Sequence, residues 1–234
     1  MPPSMLGTLT GWLVGLLLGM RHALEPDHLA AISTLVSDRP SRLRGVFLGA
    51  SWGVGHTASL LLVGMVLAVF DARMPDRLAI VFELAVAVML IGLGLRAIRR
   101  AFVEGRSGVL GAHDHGDHRH VHGGPADHVH VAGWTLATRP LLIGLVHGLA
   151  GSGALTALVV AELPDAASRL TYILLFGLGS VVGMASLSGL IGWPLASLSR
   201  NRRALRILSG ATGLLSAVVG VLWGLPLVLE LAGR

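Results

Sequence analysis

Arg21-His22-Ala23-Leu24-Glu25-Pro26-Asp27-His28 stands inside a membrane-length apolar stretch, with LTGWLVGLLLGM before it and LAAISTLV after it. Two imidazoles and a carboxylate are ligands for borderline divalent cations. Ni2+, Co2+, Zn2+ and Mn2+ suit this donor set better than Cu(I), which favours sulfur. On insertion scales an ionisable side chain at the bilayer centre costs about 3 kcal/mol and a leucine returns only about 0.5, so the cluster implies a task. The competing reading is an intramembrane salt-bridge network of Arg21, Glu25 and Asp27, with the histidines as hydrogen-bonding partners. His56, in Trp52-Gly-Val-Gly-His56-Thr57, sits mid-way along the second apolar run and is the third candidate imidazole. His147, in Gly144-Leu-Val-His147-Gly-Leu149, is the fourth.

One straight helix cannot bring these groups together. At 100° per residue His22 and His28 lie about 240° apart, and His22 and Asp27 about 140°. Pro26 disfavours the helical conformation at Glu25 and removes an amide, so the spacing predicts a break there. His22 then ends one half-helix, and Asp27 and His28 begin the next. Unwound backbone at membrane depth is tolerated only where protein or a wet cavity surrounds it, which a cation site provides.

The chain has 234 residues, 53% of them hydrophobic and 13% charged, with the apolar residues in long runs. That composition predicts an all-α, polytopic membrane helix bundle. About six spans can be drawn, over 6–36, 45–70, 78–95, 140–161, 170–198 and 205–229. The chain divides into a first three-helix half (1–102), a His-rich connection (103–138) and a second half (139–234). Gly19-Met-Arg-His22-Ala-Leu24 matches Gly144-Leu-Val-His147-Gly-Leu149, Gly49 and Gly55 match Gly177 and Gly183, and Gly92 matches Gly220. Three spans reverse the chain direction, so such a repeat implies inverted halves with the site at their interface. Small residues four apart, as at Gly11, Gly15 and Gly19, mark close helix packing.

Net charge is +5, yet every basic residue is arginine and the arginines gather between the apolar runs, so they are read as topology signals and not as a nucleic-acid surface. Thirteen fall in the odd loops and four on the other side, which places the odd loops in the cytoplasm and both termini outside. The N-terminal stretch lacks the basic region of a cleaved signal peptide and is kept as membrane structure. With no cysteine, disulfides and thiolate metal sites are excluded. HExxH, a P-loop and a Ser or Cys nucleophile motif are absent, so an enzyme is not expected and transport cannot draw on nucleotide bound by this chain. Met20, Met65, Met89 and Met184 share no spacing and are read as packing. Glu83 lies close to a helix start and is given no role.

The predicted third loop reads AHDHGDHRHVHGGPADHVH. His113, His115, His118, His120, His122, His128 and His130 are dense enough to buffer divalent metal loosely, without a spacing that defines one site.

RHALEPDHLAAI resembles the H-x4-D-H signature of the nickel/cobalt transporter family, and Gly55-His56-Thr57 resembles that family's second histidine motif. The resemblance implies a secondary permease for Ni2+ or Co2+, with selectivity in the first motif and no resident cofactor. It covers about a quarter of the chain. Typical uptake members have eight spans; a shorter branch holds both accessory-type permeases and exporters with a His-rich cytoplasmic loop. The signature favours uptake across a bacterial inner membrane, with efflux by the same fold as the alternative. A membrane metalloenzyme and a metal-delivery accessory subunit are the readings from other classes. Beyond the metal and the bilayer, a cytoplasmic metallochaperone or a second copy of the chain are the partners such a permease implies.

Overall fold

The structure, a computed structural model, describes residues 5–37, 41–70, 74–103, 128–131, 134–149, 165–198 and 201–233. Seven helices fall within them: α1 (Met5–His22), α2 (Pro26–Ser37), α3 (Arg42–Val69), α4 (Asp76–Val103), α5 (Thr138–Leu149), α6 (Ala166–Leu198) and α7 (Arg202–Ala232). Among the described residues α3, α4, α6 and α7 are long and apolar enough to cross a membrane. The fold is a membrane helix bundle, but these helices do not establish a count of six spans. The first predicted span is two helices, and α5 has 12 residues, about 18 Å at 1.5 Å each, short of a hydrocarbon core of about 30 Å. The remainder of the predicted fourth span lies outside the described residues. One element departs from an all-helical reading: β1 (His128–Val131) pairs antiparallel with β2 (Trp134–Ala137), His128 opposite Ala137.

The predicted break is present. The amides of Leu24 and Glu25 donate to the carbonyls of Arg21 and His22 at 2.9 and 3.0 Å, a tight turn that uses up the end of α1. The Leu29 amide then donates to the Glu25 carbonyl at 2.9 Å, so Pro26 sits in the first turn of α2, where its missing N–H leaves nothing unpaired. The buried side chains of α2 include Asp27, His28, Ala31, Ile32 and Val36, and the helix packs mainly on α7 and α6. The interruption is therefore enclosed by protein, as the low-dielectric setting demands. Asp165 accepts from the Ser168 amide and hydroxyl at 2.8 Å each at the start of α6. Those bonds hold its carboxyl below the usual range, so the cap persists at neutral pH and is lost as pH falls through the lowered value.

Helix contacts follow a two-fold pattern. Gly19 of α1 lies on Phe176 and Ser180 of α6, and Gly144 of α5 lies on Trp52 and His56 of α3. Gly179 lies on Leu16 and Met20, just as Gly55 lies on Leu141 and Leu145. Residue numbers rise together across both interfaces, so α1 runs with α6 and α5 with α3. Across α3 and α6 they run oppositely, Gly45 meeting Ser188 and Gly64 meeting Ile173; α4 and α7 are antiparallel likewise, Gly220 meeting Ala87 and Gly213 meeting Gly94. Thus α1, α3 and α4 are inverted relative to α5, α6 and α7. The pairing of Gly49 and Gly55 with Gly177 and Gly183 is one turn out of register. The contacts instead match Gly53, facing Val181, with Gly177, facing Thr57, and match Gly55 with Gly179. The His22–His147 pairing stands.

Interhelical hydrogen bonds fasten the crossings: Thr57 donates to the Gly177 carbonyl at 3.0 Å, Ser59 to Leu145 at 2.6 Å and Ser216 to Leu90 at 2.9 Å. Each contributes about 0.6 kcal/mol in lipid. The core beside α2 contains Trp52, Ile32, Leu90 and Met184, all at most 1% exposed. At Gly144 a Cβ would run into the Trp52 carbonyl, whereas at Gly92 it would meet nothing within 4 Å. Gly144→Ala should destabilise the detergent-solubilised protein by about 1–3 kcal/mol through overpacking. Gly92→Ala should be neutral or stabilise it by up to about 1 kcal/mol, because glycine is a poor helix former. Thermal unfolding of the two variants side by side checks this.

Candidate metal centre

Every ligand candidate in the apolar runs is buried: His22 is 4% exposed, Asp27 7%, His28 1%, His56 0% and His147 2%. His22 occupies the last turn of α1, Asp27 and His28 the first turn of α2, His56 the middle of α3, and His147 the last turn of α5. The Gly19 and Gly144 crossings lie one turn before His22 and His147, so the closest backbone approach in each half delivers an imidazole to one place. Ring centroids stand 4.3 Å apart for His22 and His28, 5.1 Å for His22 and His56, and 4.2 Å for His28 and His147. The sequence brings four imidazoles and one carboxylate from four helices into contact.

Asp27 is the knot. Its Oδ1 lies 3.1 Å from His28 Nδ1 and its Oδ2 2.8 Å from His147 Nε2, each ring N–H donating to the carboxylate. Both oxygens are engaged by imidazoles, while Arg21 is exposed, so a salt-bridge network around Arg21 is not what forms. Glu25, with its side chain 42% exposed, places Oε1 2.9 Å from His22 Nδ1, but not at hydrogen-bonding angles. Among the described residues, the buried side-chain nitrogens without a hydrogen-bond partner are both nitrogens of His22 and of His56, His28 Nε2, His147 Nδ1 and Trp52 Nε1. A buried polar atom left unpaired costs about 1–3 kcal/mol. These six nitrogens sit on four rings, and since a neutral ring offers one lone pair, His22, His28, His56 and His147 together make a set of four nitrogen donors for a cation. Two groups have ligand atoms all within 4.8 Å of one another: His22, His28 and His56, and Asp27, His28 and His147.

Charge on the backbone favours the same ligand. The C-terminal ends of α1 and α5 both point at the cluster, and the partial negative charge at a helix C-terminus attracts cations. Asp27, in the first turn of α2, faces the positive end of its own helix, which favours the ionised carboxylate.

A family model described as "High-affinity nickel-transport protein", NicO, matches residues 10–201. The chain belongs to the NicO family. The match takes in both helix ends, the break and all five candidate ligands. The urease accessory protein UreH of Bacillus sp. (strain TB-90) is 34% identical over 210 residues, covering 89% of this chain and 87% of the relative. The Arabidopsis thaliana chloroplast protein FOR GROWTH AND FERTILITY 2 is 28% identical over 187 residues, which is 79% of this chain but 47% of that protein. No solved structure matches. This is accordingly a membrane protein of a nickel-transport family, and nickel is the ion such a family carries.

Two side chains of this NicO centre carried no weight in the sequence. Trp52 stacks on His28 at 5.3 Å and meets His147 edge-on at 5.5 Å, and Phe176 lies 5.4 Å from His22. Trp52 stands one helical turn before His56, and that spacing was the available signal. Phe176 and Trp52 occupy matching places in the two halves, each walling the histidine of the opposite half. Thr57 bonds a neighbouring helix and is a packing residue. Trp12, Trp193 and Trp223 are exposed, as anchors at an interface would be. His113, His115, His118, His120 and His122 lie outside the described residues, as does GSGA after His147. His128 and His130 fall on β1, and the Ala137 amide paired across from it donates to Ser51 Oγ at 3.1 Å, next to Trp52.

Replacing Asp27 by Asn should leave the helix content unchanged. It should weaken Ni2+ binding about 10–100-fold, since a carboxylate fixes both the ring tautomer and the ligand's basicity. Calorimetric titration of the purified protein, with circular dichroism as the folding control, measures it.

Proposed function

We propose that the chain is a secondary permease carrying Ni2+ inward across a bacterial cytoplasmic membrane, with Co2+ as a second substrate. His22, Asp27, His28, His56 and His147 hold the partly dehydrated ion. The observation that carries this reading is the cluster of unpaired imidazole nitrogens at the crossing of two inverted halves in a chain of a nickel-transport family. A relative named for urease accessory work supports nickel as the main cargo.

The halves 1–102 and 139–234, joined by 103–138, interlock through the α1–α6, α3–α5, α3–α6 and α4–α7 crossings, and these crossings shift as the site changes the side it faces. Alternating exposure of a midplane site between inverted repeats is how such bundles move an ion. With both termini outside, an inside-negative potential favours entry by about 2.3 kcal/mol per charge per 100 mV. The histidines from His113 to His130 then face the cytoplasm and buffer arriving metal, upstream of any metallochaperone.

The test is flux of radiolabelled Ni2+ and Co2+ into proteoliposomes, and in cells lacking their own carriers. Wild type should accumulate Ni2+, and His22→Ala or His56→Ala should abolish it. Excising 113–127 should spare the initial rate while lowering retention. Net efflux would reverse the assignment of direction, and intact transport in His22→Ala would remove the site.

A further inference from the structure

Five ligands are more than one compact cation site uses, and they do not form one group. Ligand atoms lie mutually close only within His22, His28 and His56, and within Asp27, His28 and His147. His28 belongs to both. Its Nδ1 is turned to Asp27 at 3.1 Å and its Nε2 has no partner. We propose that the centre is two overlapping three-ligand cation positions hinged on His28, the first using its Nε2 and the second its Nδ1, occupied in turn as the ion passes from one half of the molecule to the other. The proposal rests on the metal-binding reading above and adds the path.

Geometry separates the two positions by chemistry as well as place. In the first, the ion meets three imidazoles, and Asp27 stays in its observed role, accepting from His28 and His147 and orienting both. In the second, the ion displaces those two hydrogen bonds and takes the carboxylate with His28 and His147. Moving the ion from His28 Nε2 to Nδ1 moves that ring's single proton the opposite way, and the proton on His147 Nε2 passes to that ring's unpaired Nδ1, so both rings stay neutral. The positions also differ in the halves they draw on: the first is built from the first half alone, and the second adds His147 from the other half. His22 and His147 are two-fold counterparts, each backed by the aromatic ring of the opposite half, Phe176 at 5.4 Å and Trp52 at 5.5 Å. A neutral three-histidine position and a carboxylate-bearing one differ in charge, so a shift at the crossings that carry His22 and His147 can move the ion between them without a sixth ligand.

Nickel-edge X-ray absorption on the full chain in nanodiscs, with metal stoichiometry and proteoliposome flux on the same samples, tests this. His56→Ala should keep one Ni2+ per chain, with a carboxylate and two imidazoles in the coordination sphere. His147→Ala should keep one, with three imidazoles and no carboxylate. His28→Gln should lose bound Ni2+ at least 100-fold while retaining wild-type helix content. Both single-position variants should lose flux at least 50-fold despite binding. Identical spheres in His56→Ala and His147→Ala, each simply the wild-type sphere less one imidazole, would overturn the two-position scheme, as would undiminished flux in either. Wild-type protein that binds as described but carries no flux would sink the transport reading alone, since the spectra still decide between one site and two.

Discussion

The Asp27 carboxylate holds an imidazole from each half of the molecule, His28 at 3.1 Å and His147 at 2.8 Å, in a place sealed from solvent. Such a group is tolerable at membrane depth only if its oxygens are paired and its neighbours have something to bind. Much of the architecture meets that demand. The chain breaks before Pro26 so that Asp27 and His28 face back toward His22. Gly19 and Gly144 let two helix pairs cross at backbone contact, so that His22 and His147 arrive one turn later. Trp52 and Phe176 wall the sides of the cluster.

Inversion of the halves explains why helix ends converge there. α1 and α5 are opposed, and each brings its last described turn to the centre, where the C-terminal side of a helix contributes negative potential. Long helices without interruption would have buried their ends at the membrane surfaces. The repeat is not symmetric in chemistry. His56 in α3 corresponds to Ser180 in α6, so the third imidazole of the three-histidine group comes from one half only. This asymmetric donor set in a symmetric frame underlies the two proposed cation positions.

Much of this centre was legible in the residues. The angular argument at His22, Asp27 and His28 required the break that the structure has, and the His22–His147 match gave the counterpart in the second half. Register within α3 and α6 was not legible, because glycine repeats at a four-residue interval fit equally well when shifted by a turn; only the backbone contacts separate Gly53 from Gly49 as the partner of Gly177. The six-span count is not confirmed, since hydropathy sees apolar residues but not where a helix breaks, as it does between α1 and α2. Trp52 was invisible as a wall of the site because an indole in an apolar run looks like any core residue. The hairpin of β1 and β2 escaped detection because its strands have four residues each, and the alternation of His128-Val-His130-Val is too short to stand out within a His-rich tract.

Cobalt(II) titration of the purified chain in detergent, followed by visible d–d absorption, probes the central claim most directly, because band intensity reports low-coordinate imidazole ligation without any assumption about transport. Intense bands should saturate at one ion per chain, vanish in His28→Gln, and be displaced by Ni2+. Weak, octahedral-type bands that persist unchanged in that variant would place the metal elsewhere and contradict it.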